Sequence, residues 1–118
     1  MAAHLNNLAD LYHVQRKYVE AKQYYQRAIA IAEAALGGKH PTLVYILGGL
    51  AGLHASQKNY HYAEPLYQRA LRICEQTQDF YHPGILSILQ GYVNMLRSAK
   101  RTKKAEEIEG RIKARTAD

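Results

Sequence analysis

The side chains best suited to chemistry in this sequence are its histidines and its single cysteine. His54 and His61 flank a predicted turn, but no Cys, Asp or Glu completes a zinc site with them. His40 and His82 each precede a proline, which is typical of residues at the start of a helix. Cys74 is interpreted as a small core residue of a helix. A Gly-rich phosphate loop and a nucleophile–base pair are both absent, so the sequence predicts no enzyme, no cofactor and no metal.

The length and composition predict one domain that does not enter a membrane. A chain of 118 residues fits a single domain of ordinary size. No run approaches the roughly 18 apolar residues of a membrane span. The N-terminus lacks the charged and apolar regions of a secretory signal. A lone cysteine excludes an internal disulfide and suits a reducing compartment. We therefore expect a cytoplasmic protein.

The net charge of +6 is concentrated in the C-terminal part of the chain. Residues 83–118 carry eight basic and four acidic side chains, whereas residues 41–82 are balanced at three each. A basic segment can attract nucleic acid or an acidic surface, although it is more often a solvated outer face. Aromatic side chains that stack on bases are absent from residues 97–118. Nucleic-acid binding is therefore kept only as an alternative function.

The sequence repeats itself at an interval of 42 residues, which is also the distance between the His-Pro pairs. The first unit recurs in the second as follows: Leu8, Ala9, Leu11, Tyr18, Ala21, Tyr25, Arg27 and Ala28 become Leu50, Ala51, Leu53, Tyr60, Ala63, Tyr67, Arg69 and Ala70. Such a period is typical of stacked supersecondary units that present a binding surface. We predict three repeats, at about residues 2–40, 41–82 and 83–116, of which the last is degenerate.

Each repeat is predicted to contain two helices, A and B. In the first repeat, apolar residues recur at helical spacing over residues 5–12 and 18–32. Gly37 is predicted to end helix B1, Pro41 to open A2, and Pro65 to lie in the first turn of B2. The later helices are predicted at about residues 41–57, 61–78, 83–99 and 102–115. Because alternation with a period of two is absent, the predicted fold is all-α.

These residues resemble the signature of the tetratricopeptide repeat. The signature positions are Leu5, Leu8, Ala9, Tyr12, Ala21, Tyr25 and Ala28. The segments HLNNLADLYHVQRKYVEAKQYYQRAIAIAE and NYHYAEPLYQRALRICE look like the 42-residue variant of kinesin light chains. The resemblance implies an α-solenoid of three repeats in a right-handed superhelix. It also implies a non-catalytic scaffold that binds a peptide or a partner helix.

The resemblance has one departure, at the turns between helices A and B. The family often has glycine there, whereas this chain has Arg16, Lys58 and Lys100. Asn59 is expected to tolerate a left-handed conformation beside Lys58.

In the family, the A helices line a concave groove that receives the ligand. The matching positions are Asn6, Asn7, Asp10, His13, Tyr45, Gly48, Gly49, Gly52, Ser56, Gln90, Gly91, Asn94 and Arg97. Asn6 and Asn7 are candidates because an amide can both donate to and accept from a peptide backbone, and Asn7 is the better candidate of the two. The resemblance suggests the same role for Gln90 and Asn94. The basic residues with which some relatives grip a C-terminal carboxylate are absent, so we do not expect that mode.

Three glycines inside helix A2 are the most unusual local feature. Gly48, Gly49 and Gly52 each cost roughly 0.5–1 kcal/mol relative to alanine in a helix interior. They could form a trough that receives a partner, or they could allow tight packing against neighbouring helices. The trough predicts that alanine at Gly49 raises stability, whereas packing predicts that it lowers stability.

The first helix raises the question of association. Leu5 and Leu8 are expected to be partly uncovered, because no helix precedes them in this sequence. The expected partners are a protein or peptide ligand and, in addition, either a second copy of the chain or further repeats of a longer parent protein. A structural self-association module is therefore a second alternative function.

Overall fold

The computed structural model describes residues 2–82 and 84–116, and their regular structure is entirely helical. The helices are α1 (Ala2–Val14), α2 (Tyr18–Leu36), α3 (Pro41–Ser56), α4 (Tyr60–Thr77), α5 (Ile85–Ser98) and α6 (Thr102–Thr116). Odd-numbered helices are the predicted A helices and even-numbered helices the B helices. The prediction of an all-α solenoid built from helical pairs is confirmed.

The helical pairs stack in chain order. Helix α3 packs on both helices of the first pair, and α5 packs on both helices of the second. As a result α1, α3 and α5 stand side by side in one row, which we call the A-helix face. The described residues span about 35 × 30 × 20 Å.

Small residues allow the two helices of a pair to cross closely. Ala9 and Ala21 are fully buried in the first pair, and Ala51 and Ala63 are fully buried in the second. Leu5 is buried as well, contrary to the expectation of partial exposure, because it faces this core. Leu8 is only half-buried, as expected.

The three turns between A and B helices share one geometry. Arg16, Lys58 and Lys100 each have a φ of 62°. In each turn this residue donates its N–H to the carbonyl three positions back, and the next residue donates to the carbonyl five positions back, at 2.8–3.0 Å. These bonds form a Schellman motif, which needs a left-handed residue at this position. The expectation for Asn59 was therefore wrong: its φ is −87°, and Lys58 adopts the left-handed conformation.

The start of α3 follows the sequence prediction closely. Pro41 is the first helical residue, and the His40 Nδ1 accepts a hydrogen bond of 3.1 Å from the Thr42 N–H. Gly37 ends the preceding helix with a φ of 85°. Helix α5 begins at Ile85, after Gly84 with a φ of 86°. Its predicted first residue, Pro83, lies outside the described residues.

Pro65 lies in the second turn of α4, not in the first as predicted. The helix begins at Tyr60, directly after the Schellman turn, so Pro65 is its sixth residue. Proline has no N–H, and the carbonyl of His61 therefore receives no helical hydrogen bond from it. His61 is exposed, so water can reach this part of the helix.

Candidate functional site

The predicted groove residues divide into exposed and buried positions on the A-helix face. The exposed positions are Asn7, Asp10, Ser56, Gln90, Asn94 and Arg97. The half-buried positions are Asn6, His13, Tyr45, Gly49, Gly52 and Gly91, whereas Gly48 is buried. The face therefore presents amides, two charged side chains and several glycines.

The carboxylate of Asp10 is held within the first repeat. The Tyr25 hydroxyl of α2 donates a hydrogen bond to the Asp10 Oδ1 of α1. Tyr25 is fully buried, and burial followed by the neighbouring Asp10 raises the pKa of its phenol far above the usual value. The Asp10 carboxylate is therefore already paired with Tyr25, and only the exposed part of that carboxylate remains for a ligand.

Two of the glycines receive tyrosine rings from the preceding B helix. A Cβ at Gly49 would lie 2.6 Å from the Tyr25 Cε1. A Cβ at Gly91 would lie 3.1 Å from the Tyr67 hydroxyl oxygen. Both pairs are separated by 24 residues, so the same packing occurs in successive repeats. Of the two interpretations of these glycines, the structure supports tight packing at Gly49, because the ring of Tyr25 already fills the space beside it.

Gly48 has a similar packing role against the third repeat. A Cβ at this position would lie 2.6 Å from the Ile88 Cγ2, so α3 and α5 approach closely there. Gly52 is different, because a Cβ there would meet only the Tyr67 hydroxyl oxygen, at 3.8 Å. Of the three glycines in α3, only Gly52 leaves open space on the A-helix face.

Tyr67 is a further residue of this face that was not among the predicted groove residues. Its ring stacks on Tyr92 at 5.3 Å between centroids, and its hydroxyl lies between Gly52 and Gly91. Burial raises the pKa of the Tyr67 phenol. The sequence signal for its position is that Tyr67 repeats Tyr25 at the 42-residue interval.

The remaining polar residues link helices or one another. His13 of α1 approaches Ser56 of α3, with 3.4 Å between Nε2 and Oγ. Gln90 donates a 3.0 Å hydrogen bond to Asn94. The Asn6 Oδ1 is buried and has no partner among the described atoms. Tyr45 lies half-buried near Gly84.

Arg97 and the basic third repeat are partly neutralised by glutamates. Arg97 pairs with Glu109 at 3.1 Å. Arg101 pairs with Glu64, and Arg111 donates from Nε to Glu75 at 3.0 Å. Because Glu64 and Glu75 of the second repeat pair with arginines of the third, the positive field of the third repeat is weaker than the charges of residues 83–118 alone indicate. The structure therefore gives no support to the alternative of nucleic-acid binding.

A shallow groove is also lined by residues of α2, α3 and α4. Its residues include Lys22, Leu50, His54, His61 and Tyr62, around a volume of about 460 Å³. His54 is buried, and its Nδ1 has no partner within the described structure. Burial, followed by the charge of Lys22, lowers its pKa.

Metal-ligand clusters and membrane-spanning helices are both absent from the described residues. In residues 2–82 and 84–116, no three His, Cys, Asp or Glu side chains converge as metal ligands. No helix in the same part of the chain is long and apolar enough to cross a membrane. Cys74 is buried, which raises the pKa of its thiol to about 11, and it is therefore unsuited to nucleophilic chemistry.

Comparison with known families identifies a family model that matches the chain. The family model described as tetratricopeptide repeat matches residues 1–76 and again residues 43–112. The comparison with curated proteins finds no match.

Proposed function

The chain belongs to the tetratricopeptide repeat family, and from this premise we propose that its A-helix face binds an extended peptide or a helix of a partner protein. Repeats of this family generally mediate protein–protein interactions and are typically non-catalytic. The 42-residue period supports the further proposal that the repeats are of the kinesin light chain-like variant. A cytoplasmic location belongs to the same proposal.

The exposed amides of the A-helix face are the observation that carries the proposal. Asn7 on α1 and both Gln90 and Asn94 on α5 are exposed. Amides at both ends of a row of helices can bind the backbone of one peptide at two places. Asp10 and Arg97 are already paired within the chain, so they position the surface more than they bind the ligand directly.

A peptide-display selection on the full chain tests this proposal. Peptides selected against the unaltered protein are then measured against Asn94→Leu and against Gln76→Leu. Gln76 is a matched control, because it is an exposed amide on α4, away from the A-helix face. Asn94→Leu should weaken binding about tenfold, which corresponds to about 1.4 kcal/mol. Equal binding to both variants would contradict a ligand site on this face.

The second alternative, self-association, is favoured by one exposed leucine. Leu11 of α1 is 52 % exposed, whereas its equivalents Leu53 and Met95 are 1 % and 4 % exposed. Those equivalents lie on helices that pack against a preceding pair, and within the described residues α1 packs mainly on α2 and α3. Another helical surface, from a second copy or from a further repeat, would cover Leu11 in the same way.

Sedimentation analysis of the purified chain tests the self-association arm. If two copies associate through this surface, Leu11→Ser should shift the protein toward monomer. Leu86→Ser is the matched control, because Leu86 is an exposed leucine on α5, outside this surface. A monomer at all concentrations before substitution would reject self-association.

A further inference from the structure

The hydroxyl of Tyr67 lies at the A-helix face and has no hydrogen-bond partner among the described residues. The side chain is only 4 % exposed. Its oxygen lies 3.1 Å from the Cβ position at Gly91 and 3.8 Å from that at Gly52. No hydrogen bond of this hydroxyl is present in the part of the chain that the structure describes. The Tyr67 hydroxyl is not among the fully buried unpaired polar atoms of the described structure, so it reaches the surface of this face and can donate to a ligand.

The first repeat contains the same arrangement with its acceptor in place. Tyr25 precedes Tyr67 by 42 residues and lies against Gly49 as Tyr67 lies against Gly91. The Tyr25 hydroxyl donates to the Asp10 carboxylate. The position equivalent to Asp10 in the second repeat is Gly52. The second repeat therefore has the donor and an open position, but lacks the carboxylate.

We propose that the space bounded by Gly52, Tyr67 and Gly91, called the Tyr67 notch, binds a carboxylate group of a peptide ligand. The carboxylate accepts the Tyr67 hydroxyl hydrogen bond in the way that Asp10 accepts that of Tyr25. This inference rests on the proposed function, because the ligand reaches the notch along the A-helix face.

The chemistry of the notch favours a carboxylate over a neutral oxygen. Hydrogen bonds from a hydroxyl to a charged acceptor are shorter and about twice as strong as those between neutral groups. Because Gly52 has no side chain, an acceptor can approach the hydroxyl from the place that a carboxylate would occupy if residue 52 were aspartate. The net charge of +6 also favours an acidic ligand over a basic one.

Nuclear magnetic resonance titration of the full chain with small probes tests the notch. The probes are N-acetyl-aspartate N-methylamide, its asparagine counterpart, and N-acetyl-alanine with a free carboxylate. The first and third distinguish a side-chain carboxylate from a C-terminal one. Carboxylate probes should shift the Gly52 and Gly91 amide signals saturably, and the asparagine probe should bind about tenfold more weakly. Equal binding of the aspartate and asparagine probes would overturn the proposal.

Tyrosine variants separate the notch from the rest of the surface. Tyr67→Phe should weaken binding of the carboxylate probe about tenfold or more. Tyr25→Phe is the matched control and should leave binding unchanged, because Asp10 already occupies that hydroxyl. Asp10→Ala should create a second site, reported by the Gly49 amide signal. Gly52→Asp should supply a carboxylate within the chain and abolish binding of the probe.

The outcomes also separate the notch from the proposed function. One outcome would overturn the notch but not the peptide-binding face. In that outcome, display-selected peptides lose affinity for Asn94→Leu, but the carboxylate probe binds Tyr67→Phe as tightly as it binds the unaltered chain. Peptides that are insensitive to both substitutions would overturn the proposed peptide-binding face. Circular dichroism of each variant confirms that the helices are retained.

Discussion

Tyr25 and Tyr67 occupy equivalent places in two repeats, but only one of them has a hydrogen-bond partner. Tyr25→Phe removes a hydrogen bond to a carboxylate, and Asp10 is exposed enough for water to replace part of it. We therefore expect a loss of about 1–2 kcal/mol in the free energy of unfolding. Tyr67→Phe removes only an unpaired hydroxyl and should be neutral or slightly stabilising. Urea denaturation of both variants measures the difference, and equal losses would contradict it.

His54 makes stability depend on pH below neutrality. An unfolded histidine has a pKa near 6.5, and burial beside Lys22 lowers that of His54 in the folded chain. Between the two values the unfolded chain binds more protons, so stability falls as the pH falls below about 6.5 through the folded pKa. The contribution of neutral His54 to the free energy of unfolding is fully present above about pH 6.5.

Replacement of His54 by leucine tests this dependence. Leu96 occupies the equivalent position in the third repeat and is fully buried, so leucine suits the site. The loss in free energy of unfolding between pH 7.5 and 5.5 should be smaller in His54→Leu than in the unaltered chain. His61 and Tyr62 also face this groove, and both remain in the variant. Equal losses in the two proteins would assign the effect to other groups.

At the scale of one helix, the glycines of α3 have different roles. Gly49→Ala places a Cβ against the buried ring of Tyr25, which is rigid and hydrogen-bonded. We expect a loss of roughly 1–3 kcal/mol from overpacking. Gly52→Ala meets open space and should gain up to about 1 kcal/mol from helix propensity. Thermal unfolding of the two variants, measured side by side, checks the opposite signs. A gain at both positions would restore the trough interpretation.

The helices and turns were predictable from the sequence, whereas the neighbours of the glycines were not. The 42-residue period fixed the number of helices and placed Arg16, Lys58 and Lys100 at equivalent turns. Helical periodicity also indicates which side of α3 is apolar. It does not indicate that Tyr25 meets Gly49, because that contact depends on how closely two repeats approach. The buried state of Gly48 was missed for the same reason.

The candidate site was predictable only as a face of the molecule. The resemblance placed Asn7, Gln90 and Asn94 on exposed positions of the A helices, where the structure also has them. The pairing of Asp10 with Tyr25 joins two helices, and neither side chain reveals it in the sequence. The Tyr67 notch was hidden because it consists of an absent side chain at Gly52 and an unpaired hydroxyl.

At the scale of the whole molecule, the third repeat is less firmly attached than the first two. Helix α2 packs extensively on α3, whereas the corresponding contact of α4 with α5 is smaller. Helix α6 buries only Ala105 and Ile108, whereas α3 buries nine residues. The fold is therefore most stable around α3, and α6 depends on a few apolar contacts and on ion pairs.

Ion pairs between successive B helices follow the repeat. Glu33 pairs with Arg69 at 2.6 Å, and the equivalent Glu75 binds Arg111 at 3.0 Å from Nε. These side chains are partly exposed, so each pair contributes at most about 1 kcal/mol. Because α6 has few buried residues, the Glu75–Arg111 pair is a larger share of the interactions that hold this helix in place.

Hydrogen–deuterium exchange measures this gradient of stability directly. Amides of α6 should exchange faster through local opening than those of α3, because exchange protection follows the buried apolar contacts of each unit. Glu75→Gln removes the charge that holds Arg111 and should accelerate exchange in α6 alone. Glu33→Gln is the matched control, because it weakens the equivalent pair between the first two repeats and should leave α6 unchanged. Uniform protection across the six helices would mean that the repeats open as a single cooperative unit, in which the smaller interface of the third repeat has no consequence for opening.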